Sequence, residues 1–131
     1  MKKLLSLLFV FASLNFFAQH KTTVENVNAS TFKKYIDEKK GELIDLRTND
    51  EIKNKGAIKG SKQIDFLAKD AEEQIKKLDH NKTYLVYCAG GGRSGDCAAL
   101  MVKEGFKHVV NLEKGIEGWK KEGLETTLSA K

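Results

Sequence analysis

The sequence contains no proline and only two cysteines, Cys88 and Cys97, in 131 residues. Without proline, its loops must be marked by Gly, Asn and Asp. Two cysteines build neither a disulfide-dense scaffold nor a cysteine-rich zinc site. His20, His80 and His108 have no ligand spacing to one another or to a cysteine, so no metal and no cofactor is expected. No repeat with a period of about 20–50 residues is present, which excludes a solenoid. The lysine pairs at 33/34, 39/40, 76/77 and 120/121 are spread along the chain. They read as solvated faces and not as a nucleic-acid stripe, despite a formal net charge of +5. With 31% charged and 40% hydrophobic residues, the chain has the composition of one folded domain.

The first stretch differs from the rest. It has no acidic residue, opens with Lys2 and Lys3, and continues as an apolar run from Leu4 to Ala18 that includes Phe9, Phe11, Phe16 and Phe17. This run is shorter than the roughly 20 residues needed to span a bilayer. A basic start and a short apolar run read as a signal peptide over residues 1–18. The reading places the mature chain in the periplasm or outside the cell, with no stable membrane association after cleavage.

Beyond the leader, strand and helix patterns alternate. Strands are expected at Thr22–Val27, Glu42–Leu46, Gln63–Ile64, Thr83–Tyr87 and Val109–Leu112. Helices are expected at 31–39 behind a Ser30 cap, 66–78, 94–104 and 116–121, with Gly41 and Gly105 as stops. Residues 48–54 are polar and hold at most one helical turn, and Gly56 and Gly60 punctuate a loop. Such alternation predicts an α/β fold in three layers, a mostly parallel central sheet with helices on both faces. Sheets of this kind bind ligands beyond the carboxyl ends of their strands.

The segment at that position is Cys88, Ala89, Gly90, Gly91, Gly92, Arg93 and Ser94. Consecutive glycines are costly in conformational entropy and need a structural reason. A concave backbone with inward N–H groups supplies one, and the N-terminus of the following helix adds positive charge to the same concavity. Cys88 stands at its lip and Arg93 brings a permanent cation. Together these favour a thiolate, which is both a nucleophile and a carrier for a transferred atom. The plain alternative is a strand-to-helix glycine turn around a buried, inert cysteine.

Three blocks carry a family resemblance. Tyr87 to Ser94 resembles the active-site loop of rhodanese-type sulfurtransferases. Leu43 to Ile52, followed by Gly56 to Gly60, resembles their first signature. Gly105–Phe106, Val109–Leu112 and Gly115–Trp119 resemble their end. The match covers about residues 22–124, leaving 125–131 as a C-terminal tail. The resemblance implies the rhodanese-like fold, a Cys88 persulfide as the carrier, and residues 89–94 as the substrate-binding loop. The expected partners are a small sulfur-donor anion such as thiosulfate and an acceptor, either a thiol or cyanide. Ala57 stands where the family commonly has His, and Lys114 where it has Gly. The loop itself departs further, because residues 89–92 offer only backbone, so selection by its side chains rests on Arg93. Related phosphatases have five residues between Cys and Arg; here there are four, and Tyr87 precedes the cysteine.

A non-catalytic anion- or partner-binding module and a thiol-redox or phosphatase-like enzyme stand as alternatives. Asp45, Arg47 and Glu51 near the site read as structural, an Arg47 ion pair or hydrogen-bond network closing the loops. Trp119 reads as core or pocket wall. Cys97 reads as a small buried thiol, with a resolving thiol for Cys88 as the sharper alternative.

Overall fold

The computed structural model describes residues 22–128, so the leader assigned to residues 1–18 lies outside the described residues. Five strands, β1 (Val24–Val27), β2 (Glu42–Asp45), β3 (Lys62–Gln63), β4 (Thr83–Tyr87) and β5 (His108–Leu112), form one sheet in the order β1-β5-β4-β2-β3. Every pairing is parallel. The helices are α1 (Ala29–Asp37), α2 (Asn49–Lys55), α3 (Ala71–Lys76), α4 (Gly92–Lys103) and α5 (Gly115–Lys121).

The alternation of side chains along β4 and β5 sorts the core into two layers. Leu85 and Tyr87, with Val110 and Leu112, pack with Phe32 of α1 and with Ile116 and Trp119 of α5. Tyr84 and Val86, with Val109, pack with Ile75 of α3 and with Cys97, Ala98 and Met101 of α4. The sheet is thus covered on both faces, as a parallel sheet requires. Cys88 continues the alternation and turns its side chain to the α4 layer.

Several boundaries differ from the sequence expectation, each for a local reason. Helix α1 starts earlier because Asn28, and not Ser30, caps it: its Oδ1 accepts the Thr31 N–H at 2.9 Å. The polar segment after β2 is a seven-residue helix rather than one turn. A reciprocal capping box secures it, in which Thr48 Oγ1 accepts the Glu51 N–H at 3.3 Å and Glu51 Oε2 accepts the Thr48 N–H at 3.0 Å. The helix expected over 66–78 is confined to Ala71–Lys76, since Asp65 takes the Leu67 N–H at 2.9 Å and holds the preceding residues in turns. The short strand lies at 62–63, one residue before the expected pair, and α4 begins at Gly92, two residues before Ser94.

The stretch assigned to the C-terminal tail is fastened to the domain where it is described. Thr127 donates its N–H to the Ala57 carbonyl at 2.8 Å, and its Oγ1 accepts the Ala57 N–H at 2.9 Å.

Candidate active site

Strand β4 lies in the middle of the sheet, and Cys88 is the residue that follows it. The carbonyl oxygens of Cys88 and Ala89 accept the N–H groups of Ile116 (2.9 Å) and Glu117 (3.1 Å), which binds the start of the loop to α5. Gly91 then turns the chain at φ +104°, a conformation that L side chains rarely adopt. A Cβ at this position would also collide with the Glu113 carbonyl oxygen. The glycine is therefore required twice, by conformation and by space.

This turn aims two backbone N–H groups at one sulfur. Cys88 Sγ accepts the Gly91 N–H at 3.1 Å and the Ser94 N–H at 3.4 Å. The Ser94 hydroxyl lies 3.3 Å from Sγ and 3.3 Å from the Gly91 carbonyl oxygen, so its single proton can serve either acceptor. Both donors belong to the N-terminal end of α4, a 12-residue helix whose dipole adds positive potential there. Gly90 and Gly92 are exposed and form the outer lip, whereas Cys88, expected at that lip, is buried with Ser94 because its side chain continues the β4 alternation toward α4.

The charged residues are shared out in a way that the spacing does not reveal. Arg47 pairs with Asp45, not with Glu51. Its Nε and Nη2 bond the two carboxylate oxygens at 3.0 and 2.7 Å, and Nη2 also bonds the Gly56 carbonyl at 2.7 Å. Both residues are buried, and the network ties β2 to the loop after α2. Glu51 instead binds Arg93 through both oxygens, Arg93 Nη1 at 2.8 Å to Oε2 and Nη2 at 2.7 Å to Oε1. Arg93 was expected to present its cation to the substrate. In the structure both ends of the guanidinium are occupied, because the capping box fixes the Glu51 carboxylate opposite them. The Arg93 hydrogen bonds, aided by those from Thr48 and opposed by partial burial, hold the Glu51 carboxyl at about 2, well below the usual carboxylate range.

Trp119 is core and not pocket wall. It meets Phe32 edge-on at 6.5 Å and donates its indole N–H to the Glu125 carbonyl at 2.9 Å. Cys97 is a buried thiol pushed up to about 12, first by burial and then by the charge of Cys88. Two supports of the site were missed from sequence. The Tyr87 hydroxyl donates to Ser61 Oγ at 3.0 Å and accepts the Ile58 N–H at 3.0 Å, fixing the residue before Cys88. The pairing of Glu51 with Arg93 was the other, although the Thr48-to-Glu51 capping spacing was available to place Glu51 in a first helical turn. Among the described residues, no group of three or more His, Cys, Asp or Glu side chains is arranged to hold a metal ion.

The family model described as a rhodanese-like domain matches residues 28–122. The chain belongs to the rhodanese-like domain family. This rhodanese-like domain is similar in structure to a rhodanese-related protein from Thermoplasma volcanium, with a TM-score of 0.69, 30% identity, and coverage of 80% of this chain and 99% of that one. In sequence it is 33% identical over 110 residues to a tRNA uridine(34) hydroxylase from Cytophaga hutchinsonii, covering 82% of this chain but 35% of that protein. A sulfurtransferase from Allochromatium vinosum is 29% identical over 82 residues, covering 63% of this chain and 74% of that protein. The domain thus spans about a third of the length of the hydroxylase, and its homologues carry names that include sulfurtransferase and hydroxylase.

Proposed function

We propose that this rhodanese-like domain transfers sulfane sulfur from a thiosulfate-like donor to a thiol or cyanide acceptor through a persulfide on Cys88. The single observation that carries the reading is the convergence of the Gly91 and Ser94 N–H groups on Cys88 Sγ. Donors fixed in that position stabilise negative charge on sulfur without reorganising during the reaction. In the first step the Cys88 thiolate attacks the outer sulfur of the donor. A bond forms from Sγ to that sulfur, its bond to the sulfonyl group breaks, and sulfite leaves with the electron pair. In the second step the acceptor attacks the terminal sulfur and the Cys88 thiolate returns. The Gly91 and Ser94 N–H groups that hold Sγ lie nearest to the terminal sulfur it carries. A thiosulfate sulfurtransferase agrees with the sulfurtransferase named among the relatives.

Intact-mass analysis after incubation with thiosulfate tests the reading. The expected result is a gain of one sulfur atom on Cys88, lost again on adding cyanide or a thiol. A mass that never changes favours the non-catalytic binding module, to which the burial of Cys88 and the Glu51–Arg93 closure would then belong. The Lys2–Lys3 start and apolar run support export and work in the periplasm or outside the cell, and N-terminal sequencing of the mature chain tests that assignment.

A further inference from the structure

We propose that Glu51 is the residue that sets donor selectivity by charge, through its hold on Arg93, so that the loop favours donors with one negative charge over dianions. The inference rests on the sulfurtransferase reading of Cys88 and names a class of donor within it.

The argument is an accounting of charge at the loop. Arg93 is its only cationic side chain, and Glu51 binds both of its terminal nitrogens. Glu51 cannot turn away at no cost, because the same carboxylate accepts the Thr48 N–H and hydroxyl at 3.0 and 3.1 Å and completes the cap of α2. Asp65 adds further negative charge near the guanidinium. On the other side of the loop, the Glu117 carboxylate lies 3.5 Å from where a side chain on Gly90 would begin. The groove beside Gly90 carries Glu113, Glu117 and Glu122 against Lys114 and Lys121, so it does not replace the cancelled cation. What remains positive is the pair of amides on Sγ and the end of α4, a helix terminus equivalent to about half a charge. That is matched to the charge of the sulfur itself. A dianion such as thiosulfate brings a further negative charge that nothing at the entrance offsets, whereas a monoanionic thiosulfonate or alkyl persulfide does not.

Thiosulfate and methanethiosulfonate make a clean comparison, since both present a sulfane sulfur on a sulfonyl group and differ by one charge. With the second donor the Cys88 thiolate takes the sulfane sulfur, the sulfur–sulfur bond breaks, and methanesulfinate leaves with the electron pair. The ratio of kcat/KM for thiosulfate over methanethiosulfonate is measured in wild type, Glu51→Gln and Glu51→Asp. Gln at this helix position still supports a capping box, so the first variant retains its fold. Uncovering one cation beside the donor raises the ratio about tenfold in Glu51→Gln, carried by a lower KM for thiosulfate and not by kcat. Glu51→Asp, which keeps the charge, keeps the ratio near the wild-type value. A ratio unmoved in Glu51→Gln, while both donors still load Cys88 with sulfur, overturns the proposal and leaves the sulfurtransferase reading standing. Failure of both donors to load the wild-type protein overturns both. The wild-type ratio also gives a test without substitution: it stays flat or rises as salt screens the surrounding carboxylates, and a several-fold fall shows a guanidinium that attracts the dianion and overturns the proposal.

Discussion

The Gly91 N–H and the Cys88 Sγ lie 3.1 Å apart, and the backbone that joins them is one that only glycine can follow, at φ +104° against the Glu113 carbonyl. The donor and the conformation are therefore a single feature. Gly91→Ala is expected to lower sulfur transfer by about 100-fold, the cost of losing one fixed donor to developing charge. Cys88→Ser is expected to abolish sulfur loading while thermal melting shows a folded domain. Initial rates with thiosulfate and cyanide, measured beside melting curves for both variants, check these outcomes. Full activity in Cys88→Ser would end the persulfide mechanism.

The buried Arg47–Asp45 pair makes a different prediction, about stability. Arg47 is 0% and Asp45 1% exposed, so removing one partner strands a charge with no water to solvate it. Arg47→Ala is expected to cost about 3–5 kcal/mol, measured by urea unfolding. The same change frees the Gly56 carbonyl at the turn that precedes Ala57, so the 56–58 loop and its bonds to Thr127 loosen with it. A cost below 1 kcal/mol, within the range of an exposed pair, would contradict the burial argument.

Much of this was legible in the sequence because the sheet is parallel and covered on both faces. Short segments rich in Leu, Ile, Val and Tyr at 42–46, 83–87 and 109–112 then mark strands directly, and the strand-to-loop-to-helix order puts Cys88 at the carboxyl end of the sheet. The charged pairings were not legible. Glu51 is four residues from Arg47 and 42 from Arg93, and local spacing favours the nearer partner. The long-range pairing becomes visible only when β2 and β4 are set side by side in register, Asp45 opposite Tyr87, which brings the segments following them together. Helix lengths failed where side chains compete for backbone N–H groups, as Asn28 and Asp65 do.

The low value of Glu51 fixes the sign of a pH dependence. Its folded value, about 2, lies below the ordinary carboxylate value. The stabilisation from the Arg93 pair is thus present in full above the ordinary value and is lost as pH falls toward 2. Wild type is expected to exceed Glu51→Gln in stability near pH 6, by at most about 3 kcal/mol because the pair is partly solvent-exposed and screened. The gap should close progressively between pH 5 and about 2. Urea midpoints for the two proteins across that range supply the measurement, and a gap that widens on acidification would reverse the assignment.

Cys97 supplies the control for every experiment on Cys88. Burial pushes its thiol up to about 12, so at pH 8 it is protonated and shielded from reagents. Both thiols are buried, but Cys88 borders the exposed Gly90 and Gly92 of its loop whereas Cys97 is packed between α4 and the sheet, so iodoacetamide is expected to modify Cys88 before Cys97 in the native protein, with Cys97 reacting only after unfolding in urea. Peptide mapping after alkylation reads this directly. If Cys97 is structural, Cys97→Ala leaves sulfur transfer within about threefold of wild type and costs about 1–2 kcal/mol, as expected for removing a small buried group. The opposite case has its own signature. A resolving thiol would form a disulfide with Cys88 once the persulfide had formed, releasing the sulfur as sulfide, and protein purified without reductant would then be two mass units lighter than the dithiol on the order of a stoichiometric population. Persistence of the free-dithiol mass through donor turnover confines Cys97 to the packing of α4 against the sheet.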